Sequence, residues 1–397
     1  MGTTRLKRKK ICVVTGSRAD YGLLYEFLKE VKKDKALKLQ LVVSGMHLSK
    51  EHGMTYKTIL KDGFDIDEKV NVLRFDDTSL GVTESIGLGC RLFAKAFFRL
   101  KPDWVVLLGD RFEILSSAIA AYMARIPIAH IHGGESTQGV VDEGIRHSIT
   151  KMATLHFVST EDYRKRVIQM GERPESVFNF GAPGLDVVHK QKLLNKRELA
   201  RELRMDLSRP TALVTFHPET LNGKSPAAQI KGICSALKQT NMRAIFTKAN
   251  ADMGGRSINE TIKKFCLQNG RNNRLFDSLG QLRYMSCLQH CDIMVGNSSS
   301  GIIEAASFGI PVVNIGDRQK GRVRGTNVID VQGTKSGILA GIKKGLSKPF
   351  ARRISRKPNP YERYRDGKVS RRIKDKIKST KIAQHLLKKQ FYDLRFS

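Results

Sequence analysis

Three short stretches hold residue types that can move protons at carbon. They are Gly109-Asp110-Arg111-Phe112-Glu113, His130-Ile131-His132-Gly133-Gly134-Glu135 and Asp142-Glu143-Gly144-Ile145-Arg146-His147. Taking a proton from one face of a carbon and returning one to the other needs an acid and a base with separated pKa values. Clustered carboxylates beside an arginine and a histidine can be tuned in that way. Like charges crowded into one closed site disfavour full ionisation, so one of these carboxyls is expected to titrate high. Taken singly, Asp110 and Asp142 would serve equally well as helix N-caps. That does not account for the cluster.

A second group of segments suits anion binding. Gly16-Ser17-Arg18 is a glycine turn opening into a helix, and Gly296-Asn297-Ser298-Ser299-Ser300-Gly301 is a small-residue loop doing the same. Backbone N–H groups at such a turn are offered to phosphate. Arg18, and Arg318 in the polar loop Asp317-Arg318-Gln319, add positive charge, and His217 stands at a further strand end before Pro218-Glu219. Glu304, one turn beyond the serines, can accept hydrogen bonds from ribose hydroxyls. Neither the dinucleotide fingerprint nor the P-loop is matched.

These segments need strands behind them. Apolar, β-branched runs at 10–16, 39–44, 70–73, 104–108, 128–131, 155–159 and 177–180 alternate with helical patterns such as 82–100. That pitch predicts a parallel sheet with helices on both faces, whose ligands bind outside the carboxyl ends of the strands. The turn-rich stretch at 181–186 marks a boundary, after which strands at 212–216, 243–247, 273–276, 293–296 and 312–315 repeat the pattern. The expected fold class is therefore α/β. Two Rossmann-like domains are expected, at 1–185 and 186–376, with parallel sheets facing a central cleft. The first would carry the catalytic carboxylates and the second the nucleotide site.

Composition narrows the setting. The chain has 397 residues, 40% of them hydrophobic and 27% charged, enough for two domains with full cores. No apolar run reaches membrane-spanning length, and the basic start lacks the apolar core of a secretory signal, so a cytoplasmic location without membrane attachment is expected. The six cysteines are scattered. Cys287 and Cys291 with His290 fall short of a zinc ligand set, so neither disulfide nor metal is expected. The net charge of +32 is concentrated in 5–10 and 343–389 and attracts polyanions. The basic residues of 352–381 lack the interleaved aromatics of a nucleic-acid platform, so nucleic acid is an unlikely partner and a solvated face the plainer reading.

Together the motifs resemble the hydrolysing UDP-N-acetylglucosamine 2-epimerase family of sialic and nonulosonic acid biosynthesis. The resemblance is carried by Gly16-Ser17-Arg18-Ala19-Asp20-Tyr21, Gly109-Asp110-Arg111, His132-Gly133-Gly134-Glu135 with Asp142 and Arg146-His147, Phe216-His217-Pro218-Glu219, and Gly296-Asn297-Ser298-Ser299-Ser300-Gly301 with Glu304. Asn359-Pro360-Tyr361 and Asp366-Gly367 resemble a closing motif, here split by residues 362–365. The resemblance runs from about residue 10 to 378. It implies a fold like that of GT-B glycosyltransferases, with a C-terminal helix (377–397) returning to the first domain, no cofactor, and a homodimer or homotetramer. It also implies loss of the C2 proton, anti elimination of UDP to 2-acetamidoglucal, and hydration to N-acetylmannosamine. Asp110, Glu135 and Asp142 become acid/base candidates, and His217 a catalytic residue near the leaving group. Arg18, Arg111, Arg146, His147, Ser298, Ser299, Glu304 and Arg318 become substrate and UDP contacts. The main expectation is UDP-N-acetylglucosamine as substrate. The alternative is UDP-2,4-diacetamido-2,4,6-trideoxyhexose, and a non-hydrolysing epimerase is disfavoured by the His-Gly-Gly-Glu sequence.

Overall fold

The computed structural model describes residues 8–73, 78–138, 140–219, 225–249, 254–270, 272–354, 358–382 and 387–394. The chain divides into two compact units. One comprises Met1–Glu135, Asp142–His189 and Arg363–Ser397, the other Ser136–Val141 and Lys190–Glu362.

The first unit is built on seven parallel strands: β1 (Lys9–Thr15), β2 (Leu37–Ser44), β3 (Glu68–Val70), β4 (Trp104–Leu108), β5 (Ile128–Ile131), β6 (Leu155–Val158) and β7 (Val177–Asn179). Their order is β3-β2-β1-β4-β5-β6-β7. The sheet is buried on both faces, which is why its central strands read as unbroken apolar runs. Ile11, Val13 and Val106 pack with Leu24 and Phe27, while Cys12, Val14 and Val105 pack on the other face with Phe93 and Phe97. The helix Arg18–Lys33 starts with a capping box in which Ser17 and Asp20 satisfy each other's backbone.

The second unit has six parallel strands: β8 (Thr211–Thr215), β9 (Arg243–Thr247), β10 (Asn273–Phe276), β11 (Ile293–Gly296), β12 (Val312–Ile315) and β13 (Val328–Val331), ordered β10-β9-β8-β11-β12-β13. In each sheet the strand order reverses once, at β1/β4 and at β8/β11. Such switch points are where open α/β sheets leave a crevice for ligands.

The two parallel-sheet α/β domains expected from the sequence are present. Several details differ. β3 lies at Glu68–Val70, ahead of the expected 70–73. β13 escaped notice because it is a short edge strand whose second half, Asp330 and Val331, is not buried. Residues 186–189 stay with the first unit because Asp186, fully buried, accepts the Val369 and Ser370 N–H groups at 2.9 and 2.7 Å. It thereby caps a helix far along the chain, Val369–Ser379. That helix replaces the one expected at 377–397, since the described residues after Ser379 contain no α-helix. Its Val369, Ile373 and Ile377 join the core around Leu24 and Leu28. Lys374 and Lys378 reach Asp34, at the end of the helix Arg18–Lys33, at 3.1 and 2.8 Å. The basic segment 5–10 lies outside the described residues as far as residue 7, as do 355–357 of the basic C-terminal region.

Candidate active site

At the β1/β4 switch point the first unit concentrates charge. β4 ends at Leu108, and Gly109-Asp110 turns the chain into the helix Phe112–Met123. The cap position of that helix is Arg111, with no side-chain capping bond, so Asp110 is not there as a cap. Its carboxylate meets Arg146, from the helix Asp142–Met152. The Arg146 Nε donates to Asp110 Oδ2 at 2.7 Å, and its Nη2 closes on the same oxygen. Nη1 donates to Glu143 Oε2 and to the Glu135 carbonyl, both at 2.8 Å. Arg146 is 1% exposed, so protein partners such as these, rather than water, hold its charge. One buried guanidinium thus ties the β4 tip, the β5 tip and the following helix together. Glu143 also holds His147, whose Nε2 is 3.3 Å from Oε1. Asp142 is half-buried in the first turn of the same helix.

Glu135 is buried and is oriented by two neighbours. His132 Nδ1 lies 2.6 Å from its Oε1, and Ser159, just beyond β6, donates to the same oxygen at 3.0 Å. Behind the site, His130 on β5 sits fully buried with Nε2 at 2.8 Å from the Gly109 carbonyl and Nδ1 at 3.2 Å from Thr150 Oγ1. A carbonyl only accepts, so Nε2 carries the proton and Nδ1 turns its lone pair toward the Thr150 hydroxyl, which itself donates to the Arg146 carbonyl at 3.0 Å. Burial pushes His130 down to about 3, so the ring stays neutral.

One expectation for this unit needs correction. The Gly16-Ser17 amides are not offered to an anion: Asp20 accepts them at 2.8 and 2.7 Å. Arg111 is anchored by Glu113 through Nε, which donates to Glu113 Oε1 at 2.8 Å. Glu113 is fully buried, and desolvation pushes its carboxyl up against the pull of Arg111. It lies directly against Gly16, where any Cβ would overlap the carboxylate, so this turn must be glycine. Arg18, the first residue of its helix, remains half-buried beside that turn.

The β8/β11 switch point is organised around a neutral residue. Asn297, fully buried after Gly296, accepts the His217 N–H at 2.7 Å and donates to the His217 carbonyl at 2.9 Å. Its own carbonyl accepts Arg318 Nη1 at 3.3 Å and Gln319 Nε2 at 2.8 Å. Glu219 accepts the Asp317 N–H at 2.9 Å and lies where a Cβ on Gly316, at φ +75°, would overlap it. His217, Ser298, Ser299 and Arg318 are thereby gathered around one amide. The expected helix after the serines is only one turn, Ser300–Ile303, followed by a tighter turn at Ala305–Phe308. Glu304, buried at 5% exposure, sits where the first gives way to the second.

Several residues of this architecture had no role assigned from the sequence: His132, Ser159, Glu113, Asn297 and Glu219. Asn297 had a signal, an amide directly after the glycine that ends a strand. Ser159 had none, because its partner is 24 residues away. Among the described residues no group of His, Cys, Asp or Glu is placed to hold a metal ion, and no helix is long and apolar enough to cross a membrane.

Comparison with known proteins gives a family. The family described as UDP-N-acetylglucosamine 2-epimerase matches residues 29–378. The GDP/UDP-N,N'-diacetylbacillosamine 2-epimerase (hydrolyzing) of Campylobacter jejuni is 44% identical over 326 residues, covering 82% of this chain and 85% of that protein. The UDP-N,N'-diacetylbacillosamine 2-epimerase (hydrolyzing) of Legionella pneumophila is 38% identical, covering 96% and 98%. Polysialic acid biosynthesis protein P7 of Escherichia coli is 40% identical, covering 97% and 98%. Among solved structures, the UDP-GlcNAc 2-epimerase of Neisseria meningitidis bound to UDP-GlcNAc superposes with a TM-score of 0.79 at 18% identity, covering 94% of this chain and all of that one. That likeness bears out the GT-B-like fold. By the extent of these matches, the chain belongs to the UDP-N-acetylglucosamine 2-epimerase family.

Proposed function

We propose that the protein is a hydrolysing 2-epimerase whose substrate is UDP-N,N'-diacetylbacillosamine, the UDP-2,4-diacetamido-2,4,6-trideoxyhexose weighed above as the alternative. The observation that carries the reaction class is the buried Arg146, which draws Asp110, Glu143 and the Glu135 backbone into one network. The substrate reading rests on the two relatives, 44% and 38% identical, that bear that sugar in their names. In the proposed reaction a base takes the C2 proton while the C1–O bond breaks and UDP departs with the electron pair, leaving a C1–C2 double bond. Water then adds its oxygen to C1, and C2 receives a proton on the opposite face. Asp110, Glu135 and Asp142 supply the acid and base, with Arg146 and His147 setting their charge. His217, Arg318, Ser298, Ser299 and Arg18 hold the diphosphate, and Glu304 the ribose. Arg111 supports the site through Glu113.

Proton NMR in deuterated water tests the reading with both sugar nucleotides. Free UDP and a diacetamido sugar of manno configuration, deuterated at C2, are expected from UDP-N,N'-diacetylbacillosamine, with much slower turnover of UDP-N-acetylglucosamine. The reverse preference returns the protein to the N-acetylmannosamine route, a reading favoured by the 40% identity to polysialic acid protein P7. An intact UDP-sugar of manno configuration would replace hydrolysis with simple epimerisation.

A further inference from the structure

His132 has so far entered only as a neighbour of Glu135, yet two uncommon features meet in it. Its φ is +66°, in the left-handed region that only a few per cent of non-glycine residues adopt, histidine more often than most. Such a conformation persists where the surroundings enforce it, and it concentrates at binding and catalytic sites. The ring is 5% exposed. Glu135 Oε1 already receives the Ser159 hydroxyl, so it faces His132 as an acceptor and the proton between them sits on Nδ1. In that tautomer Nε2 carries the lone pair. That atom is buried and has no hydrogen-bond partner among the described residues. A buried acceptor left unmatched costs about 1–3 kcal/mol. Backbone strain and an unmatched atom therefore coincide in one residue, the width of an imidazole ring from the Glu135 carboxylate.

We propose that His132 is a substrate contact. Its Nε2 accepts a hydrogen bond from an N–H or O–H donor next to the reacting carbon of the sugar, while its Nδ1–H fixes the Glu135 carboxylate. The identity of the ligand rests on the epimerase reading. The contact itself rests on the geometry of His132. On a 2-acetamido sugar the donors beside C2 are the acetamido N–H and the C3 hydroxyl.

His132→Asn separates the two nitrogens. Asparagine tolerates positive φ, and its amide replaces the Nδ1 donor to Glu135 while deleting Nε2. The expected result is a fall in kcat/KM of about 10–100-fold, the span of one buried hydrogen bond, with the affinity for UDP unchanged because UDP lacks the sugar. His132→Ala, which also releases Glu135, is expected to lower kcat further. A 3-deoxy-3-fluoro substrate identifies the donor. If it is the C3 hydroxyl, wild type falls to the level of His132→Asn and the variant loses nothing more. If it is the acetamido N–H, both proteins respond equally to the fluorine. Unchanged kcat/KM in His132→Asn would mean that Nε2 meets water alone and would overturn the proposal. So would a loss of UDP affinity or of cooperative unfolding in that variant, which marks a structural role. Should wild type release no UDP from any sugar nucleotide, the epimerase reading fails. Calorimetry then decides the contact: His132→Asn must bind the sugar nucleotide more weakly and UDP equally well.

Discussion

The two switch points share a plan and differ in charge. At each, a glutamate is seated against a glycine that admits no side chain, Glu113 on Gly16 and Glu219 on Gly316. Above the first, three carboxylates, an arginine and two histidines interlock through polar and ionic contacts. Above the second, a neutral amide, Asn297, holds backbone groups and one arginine in place. Ionic networks set protonation states, because each partner's charge shifts its neighbours' pKa. A neutral amide fixes geometry and leaves charge available for an anion. On the proposed function the difference divides the labour, with proton transfer in the first unit and most of the anion binding in the second.

The comparison is broken most severely at Glu135. Glu135→Gln keeps the shape and removes the proton acceptor, so turnover is expected to fall at least about 10³-fold, the scale of general acid–base catalysis, with UDP affinity intact. Residual activity within about tenfold of wild type would take Glu135 out of the chemistry. Arg146→Gln comes next and is read as stability. Removing one partner of a buried charge network costs about 3–5 kcal/mol. Asp110 and Glu143, at 20% and 30% side-chain exposure, can recover some hydration, which places the expected loss toward the lower figure. Denaturant unfolding measures it. A loss below about 1 kcal/mol would show that Arg146 is not what gathers the carboxylates.

How much of this division was legible follows from where each signal resides. Strand tips were readable because buried parallel strands are continuous apolar runs, so Asp110, Glu135, His217 and Asn297 were placed at strand ends from sequence. The polarity of the amides was not. Gly16-Ser17 has the form of an anion-binding turn, but Asp20, four residues on, consumes both N–H groups. A capping box and a phosphate loop share their residue types, and only the rotamer of Asp20 separates them. Contacts that span the chain were out of reach for a different reason. Asp186 caps a helix that begins 183 residues later, and no local pattern announces its partner. The positive φ of His132 was nearly as silent, since histidine enters the left-handed region more often than most side chains but far too seldom to mark one position.

Asn297→Ala sharpens the second half of the comparison. It deletes both bonds to the His217 backbone, leaving a buried N–H and carbonyl unmatched. If this unit only binds, the affinity for UDP should drop about 10–100-fold, while kcat at saturating substrate changes far less. A large kcat loss with unchanged UDP affinity would put chemistry in the second unit.

The smallest effect is a matter of pH. Burial lowers His47 to about 4 and His130 to about 3, both in the first unit. Against an unfolded value near 6.5, each ring is neutral in both states above that pH and costs nothing. As the pH falls below 6.5 the unfolded chain takes up protons that the folded chain refuses, so stability is lost progressively toward the folded values. From pH 7 to 5.5 the loss is about 1 kcal/mol per histidine, because only the unfolded state titrates in that window. Hydrogen exchange at the two pH values should show protection falling in β1, β2, β4 and β5. His130→Gln, whose amide can still donate to the Gly109 carbonyl, should flatten the dependence by one histidine's share. Retention of the full wild-type slope in that variant would mean that His130 is already protonated in the fold. The Gly109–Asp110 turn would then stand on a charged ring, and the charge of the first unit would reach one layer deeper than its visible carboxylates.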